Sequence, residues 1–380
     1  MLFVKTDDLK TGMRLARPIY NKNGVLLYDR NSKLTSQGIV SIQNFGLIGI
    51  YTLEPAEPVP PMTEDDITFE RFQAMSVFAI KEILDLISDQ KEAKEVYPFA
   101  NQVIKNYGML HHKINFVQNI RSAEDYCYKH SLNTAILCAL ITGRLHMEFK
   151  QQLDVVVAGI LHDIGNLFIP LDIRKKKKEE LTEDDRKKIT TCYYASYQLL
   201  NKDYSLDPNV KRTVTLGICD IYQLPEEEDS AETKKILEVE ILKVAECFDR
   251  MTAMKFGEEP LSEIAAIRYL LDEANGYDQE VVNALIESIH ILSPGVCLEL
   301  SNGEKGLVLV ENPLNILQPY VLSFKDNQVI NLGDEEEAGD LYVVDIMKTM
   351  DNRHIINKSL LEEYAGEPIR KGQTKKKKHY

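Results

Sequence analysis

Histidine is scarce in this chain and missing from a long central stretch: eight occur in 380 residues, none between His162 and His290. A multi-cation centre built on imidazole would draw ligands from that stretch, so such a centre is incomplete here. No CxxC joins any of the six cysteines, Cys127, Cys138, Cys192, Cys219, Cys247 and Cys297, which removes the usual thiolate signature of structural zinc. No charged-then-apolar leader opens the chain, and with no close cysteine pairs this predicts a reducing, cytoplasmic location. No apolar run reaches the roughly 18–20 residues of a membrane span. Basic charge is also in deficit: 45 Lys and Arg against 59 Asp and Glu give a net charge of −14. That balance argues against a surface that coats a nucleic-acid polymer, while a small anion in a local pocket remains compatible with it.

What is present is enough for a core and for two or three domains, with 44% apolar residues. Residues 1–54 read as a β-rich module: Asn23–Gly24 sits between apolar stretches, a hairpin signal, and a short helix and a strand follow. The Pro- and acid-rich stretch 55–66 reads as a linker. From 67 to 292 apolar residues recur at three- and four-residue steps, as in FAIKEILDLISD, SLNTAILCALITGRL and QEVVNALIESIHI, which predicts amphipathic helices packed into a bundle. The run RKKKKEELTEDDRKK reads as a solvated loop and helix start, its acidic half nearly cancelling its basic half. At 293–350 the period changes to alternation, with a turn at Asn302–Gly303, predicting a small antiparallel β extension. The tail, 351–380, reads as largely flexible. The fold class is therefore mainly α, a helical bundle with a β-rich module before it and a short antiparallel extension after it.

Candidate chemistry centres on AGILHDIGN, which carries His162 beside Asp163. Gly165 permits a backbone turn there. His130 begins the helix SLNTAILCALITG and would meet His162 if the two helices cross near their ends. Imidazole and carboxylate suit Fe, Mn or Zn. Taken singly, each histidine reads equally as a satisfied core or cap residue. In VAECFDRM, Glu246 and Asp249 lie three apart and share a helix face. Either they complete a site or they form ion pairs with Arg250 or Lys243.

The order of these segments resembles the HD-GYP family, a branch of the HD superfamily of metal-dependent phosphohydrolases. DDLKTGMRLARPIYNKNGVLL resembles an N-terminal module common in some members, DYCYKHSLNTAI the helix with the first family histidine, and AGILHDIGNLFIP the HD signature. VAECFDRMTA is similar to the later acidic segment and LSPGVCLELSNGEKGLVLVENPLNILQPYV to the small closing sheet. The resemblance implies an HD-type helical bundle with His130, His162, Asp163 and Glu246 as metal ligands, Asp163 in a catalytic role, and Asn166 and Asp249 near a ligand. It also implies losses. The glutamate one turn before the first histidine falls on Tyr126, and the lysine after HDIG on Asn166. A further histidine falls on Cys192, and a His-His-Glu run on Ile218, Cys219 and Asp220. The Gly-Tyr-Pro element is absent, replaced by QLPEEED. Cys192 and Cys219 could join the metal ligands as thiolates, softer and shorter donors than imidazole, whereas Ile218 offers none and Asn166 cannot offset phosphate charge.

Three expectations follow from the resemblance. The first is a degenerate member in cyclic di-GMP signalling that binds a cyclic dinucleotide, another phosphorylated small molecule or a protein partner, with little phosphodiesterase activity. The second is a weak or repurposed phosphohydrolase holding one divalent metal (Fe, Mn or Zn). The third is an interaction scaffold with no cofactor. A homodimer is implied throughout, since family members often pair through helices outside the catalytic core.

Overall fold

The computed structural model describes residues 2–44, 49–53, 59, 62–202, 206–224, 236–255 and 260–347. The expected flexible tail at 351–380 lies outside the described residues, as do most of the expected linker and the stretch 225–235. The chain forms two compact units, 1–291 and 292–380.

The first unit opens with the β-rich module. It contains β1 (Leu2–Lys5), β2 (Arg14–Leu15), β3 (Ile19–Tyr20), β4 (Leu26–Tyr28), α1 (Ser36–Asn44) and β5 (Gly49–Leu53). β5 lies between β1 and β2, antiparallel to both, with Leu2 opposite Thr52 and Leu15 opposite the same residue. β3 and β4 form the hairpin that Asn23–Gly24 predicts; Gly24 takes φ +71°, a conformation that costs glycine little. Val4, Leu15, Ile19, Leu34, Ile42 and Ile50 close a small core.

The helical body follows. α2 (Glu64–Ser88) starts at a capping box in which Thr63 and Asp66 satisfy each other's backbone N–H groups. It is followed by α3 (Val96–Val103), β6 (Ile120–Arg121), α4 (Tyr126–Arg144), α5 (Phe149–Leu161), α6 (Leu171–Arg174) and α7 (Glu183–Lys202). Then come α8 (Pro208–Tyr222), α9 (Leu237–Thr252), β7 (Met254–Lys255), α10 (Glu263–Leu271) and α11 (Gln279–Ser288). α4 is the central rod. It is apolar nearly all round, and the continuous run from His130 to Thr142 is buried against α2, α5, α9 and α11. Leu132, Ile136, Leu137 and Ile141 are wholly inside, each worth about 1.5–3 kcal/mol of apolar transfer.

α4 begins earlier than the sequence predicts, at Tyr126 rather than His130. Ser122 and Asp125 bond each other's backbone N–H groups at 2.7 and 3.2 Å and lock the turn that launches the helix. His130 therefore sits in the second turn, inside the core. β6 and β7 pair in parallel, Arg121 opposite Lys255. That two-residue ladder ties the approach to α4 to the exit of α9.

The second unit carries β8 (Cys297–Leu300), β9 (Lys305–Val310), β10 (Tyr320–Ser323), β11 (Val329–Asn331), α12 (Glu335–Ala338) and β12 (Val343–Ile346). Its sheet is antiparallel in the order β11-β10-β9-β8-β12. The β8–β9 turn uses Gly303 at φ +78°, where the Asn302–Gly303 signal puts it. Leu298, Leu300, Val308, Val321 and Val343 are buried. The protein is mainly α with small antiparallel sheets near both ends, as the periodicities predict. Among the described residues no helix is long and apolar enough to cross a membrane.

Candidate functional site

α4, α5 and α9 bring five of the sequence-predicted residues into one buried cluster. His130 comes from α4, His162 and Asp163 from the end of α5, Glu246 and Asp249 from α9, and all five are buried. Close approach of α5 to α4 depends on Gly159: a Cβ there would stand 3.2 Å from both Ala135 Cα and Cys138 Sγ. The Gly159 carbonyl also accepts the Nδ1–H of His162 at 2.8 Å. This bond leaves His162 Nε2 as the acceptor nitrogen, and it faces His130 Nε2 at 3.2 Å. Burial pushes the His162 imidazole down to about 3, and positive charge on His130 adds to the effect.

His130 is held on its other side by Asp249, Nδ1 to Oδ2 at 2.6 Å. Asp249 is in turn gripped by both arms of Arg121, at 2.6 Å each. Gln118 and Asn133 each donate to Asp249 Oδ1 at 3.0 Å, and Gln73 donates to Asn133 Oδ1 at 3.0 Å. Burial alone would raise the Asp249 carboxyl, but Arg121 and the bond from His130 outweigh it and hold it well below the carboxylate range. Glu246 accepts from Arg250 Nε at 2.7 Å and lies 3.9 Å from His130 Nε2. The ring of Tyr126 stacks on His130 at 5.2 Å.

Asp163 has two unlike oxygens. Oδ1 accepts hydroxyls from Tyr193 at 2.8 Å and Tyr222 at 2.7 Å. Oδ2 is buried and has no partner. Burial raises the Asp163 carboxyl, against the pull of His130 and the two phenols. Asn166 follows in a tight helical turn, Ile164–Phe168, and its own Oδ1 is also buried without a partner. Gly165 keeps a φ outside the positive range. Gly165 lies within that turn, as expected, and has a second role. It is a contact glycine, since a Cβ would stand 2.5 Å from Tyr193 Cδ1 and 2.9 Å from Ser196 Oγ.

The two cysteines lie on the helices that carry the tyrosines. Cys192 is half-buried on α7, immediately before Tyr193, and Cys219 is buried on α8, one turn before Tyr222. Ile218 is wholly buried, and Asp220 pairs with Lys243 at 2.7 Å on the surface of α8.

These donors do not fit a divalent cation as they stand. Zinc, manganese and iron need three or more protein donors converging on one point. Among the described residues no three His, Cys, Asp or Glu side chains converge in that way. The hydrogen-bond pattern shows why. His130 is engaged at both nitrogens, Nε2 by His162 and Nδ1 by Asp249. Glu246 and Asp249 are each engaged by an arginine. Asp163 Oδ2 is the buried carboxyl oxygen of the cluster left open. Arg121 and Arg250 meet the carboxylates of Asp249 and Glu246, so these two pairs balance without an added cation.

Sequence reasoning missed Arg121, Gln118, Tyr193 and Tyr222. Arg121 is the charged residue that ends the uncharged run INFVQNIR, and a buried Asp249 demands a buried cation. The tyrosines show only as a local excess of Tyr beside positions where the resemblance places metal ligands.

Residues 116–218, which hold His130, His162, Asp163 and both cysteine-flanking segments up to Ile218, match the family model of the HD domain. A cyclic di-GMP phosphodiesterase of Pseudomonas aeruginosa is 22% identical over 232 residues, covering 56% of this chain and 53% of its own length. The chain thus spans about half the length of that curated relative. Among solved structures, Bd1817, an HDGYP protein from Bdellovibrio bacteriovorus, aligns at 10% identity with a TM-score of 0.40, over 75% of this chain and 97% of that one. By this match residues 116–218 carry an HD domain.

Proposed function

We propose that this chain is a degenerate HD-GYP-type protein of bacterial cyclic-dinucleotide signalling. It acts in the cytoplasm, as a homodimer, and binds cyclic di-GMP or a protein partner rather than hydrolysing a phosphodiester. The relative's activity on cyclic di-GMP supports the ligand class. One observation carries the non-hydrolytic reading: the Arg121 guanidinium, wholly buried, holds Asp249 with both arms and sits 3.5 Å from His130 Nδ1. A fixed protein cation there stands where a charge-neutralising metal would be needed and repels one nearby. Calorimetry with cyclic di-GMP and a phosphodiesterase assay with added Mn, Fe or Zn test it. Saturable binding with no product is expected; rapid turnover overturns the reading, and absence of heat at high concentration removes the cyclic dinucleotide. Light scattering at several concentrations tests the dimer.

A second reading, a weak metal-dependent phosphohydrolase, is favoured by the open Oδ2 of Asp163. It requires slow, metal-dependent product formation that Asp163→Asn abolishes.

A further inference from the structure

Tyr193 and Tyr222 come from different helices, α7 and α8, yet both hydroxyls end on one oxygen of one carboxyl group. Their rings stack at 3.6 Å between centroids and 16° between planes, so the two O–H groups run side by side. The arrangement is built. Tyr193 is buried, Gly165 leaves the room that its ring fills, and Ser196 donates to the Tyr193 carbonyl at 2.7 Å, bracing the helix at that turn. Cys127 Sγ donates to the Asp163 backbone carbonyl at 3.2 Å, so the residue is fixed from behind as well.

We propose that the Tyr193–Tyr222 pair is a built-in replacement for a divalent cation on Asp163, clamping the end of α5 to α7 and α8 and occupying Oδ1, the oxygen a metal would share. Two hydroxyl dipoles on one carboxyl oxygen supply the stabilisation that a cation would otherwise supply, and they do it without exchangeable ions. Tyr193 follows Cys192 directly, and Tyr222 follows Cys219 by one turn. The phenols thus reach the carboxyl group from the same two helix segments that carry those thiols. The clamp deepens the reading of this site given above, in that both need Asp163 Oδ1 to be held by the protein. It is independent of whether any nucleotide binds.

The test uses the full chain and metal alone. Metal content is measured on protein purified without chelator, and Tm is read with EDTA and with Mn²⁺ for the wild type and for Tyr193→Phe/Tyr222→Phe. The double variant keeps both rings and their stack and loses both hydroxyls. The wild type is expected to hold substoichiometric metal and to keep its Tm under both treatments. The double variant is expected to melt lower without metal and to gain several degrees with Mn²⁺, as mass action requires for a ligand of the folded state. A wild type that carries a full equivalent of metal and loses Tm in EDTA overturns the proposal, and so does a double variant indifferent to Mn²⁺. Tyr222→Phe alone, which keeps the Tyr193 bond, is run in parallel and decides the case if the double variant does not fold. A nucleotide-binding result leaves this outcome untouched, so failure here and failure of the ligand reading are separately visible.

Discussion

His130 and Asp249 are 119 residues apart in the chain and share a 2.6 Å hydrogen bond inside the core. α4 and α9 cross at this bond, and the parallel pairing of β6 with β7 brings Arg121 to the same carboxylate. His130, expected as a metal ligand, is joined to Asp249 and through it to Arg121. The same geometry bears on both stability and chemistry, because His130 Nδ1 and both oxygens of Asp249 are engaged inside the protein.

Removing Arg121 leaves Asp249 buried and uncompensated. Arg121→Met is expected to cost about 3–5 kcal/mol in urea unfolding, the range for breaking one side of a buried pair. The double change Arg121→Met/Asp249→Leu removes both charges and is expected to cost less than the single change. A single variant within about 0.5 kcal/mol of wild type, the range of ordinary surface substitutions, would show that the network contributes little.

Gly165→Ala puts a methyl group 2.5 Å from Tyr193 Cδ1 and 3.0 Å from its Cα. The ring can tilt, but the Cα belongs to α7, so the helix must move. An overpacking cost of about 1–3 kcal/mol is expected. Tyrosine fluorescence should change with it, because the stack with Tyr222 is displaced. Unchanged stability and an unchanged spectrum would mean that the turn at Ile164–Phe168 is not tightly seated.

The elements with strong periodicity were legible in the sequence: the bundle, the Asn23–Gly24 hairpin and the Asn302–Gly303 turn. His162, Asp163, His130, Glu246 and Asp249 were also legible as a group that comes together. Their partners were not, for a physical reason. Arg121 and Gln118 precede α4 in irregular chain, and only the β6–β7 ladder brings them to α9; no local pattern announces a pairing across more than a hundred residues. Gly165 was legible as part of a turn, but not as a contact residue. The glycine supplies space for a neighbour, which no one-dimensional reading contains.

Arg17 of the N-terminal module pairs with Glu70 of α2, and both side chains are mostly covered, at 16% and 12% exposure. Gly24, at the tip of the β3–β4 hairpin, meets Met75 on the same helix. Arg17→Ala is expected to speed amide exchange through Ile19–Tyr28 while α4 keeps its protection, because the module has its own core and only its tie to α2 is cut. Equal exchange in variant and wild type would assign the tie to apolar contact at Met75 alone.

The last expectation concerns acid. His162 is wholly buried, with its imidazole pushed down to about 3, against about 6.5 in an unfolded chain. The folded protein therefore binds fewer protons than the unfolded chain between these values. Stability from keeping His162 neutral is fully present above about 6.5 and is lost as pH falls toward 3, by about 1.4 kcal/mol per pH unit and on the order of 4–5 kcal/mol in all. Asp249 acts in the same direction at lower pH. Its depressed carboxyl contributes stability above the unfolded value of about 3.9, and that contribution is lost as acid protonates it. The two are separable because their windows differ. His162→Asn, which retains a donor for the Gly159 carbonyl, should flatten the slope of unfolding free energy between pH 6.5 and about 3, and leave the steeper fall below pH 4 in place. If the variant and the wild type run parallel across the whole range, His162 is not held neutral inside the fold, and the assignment of its lone pair to His130 fails with it.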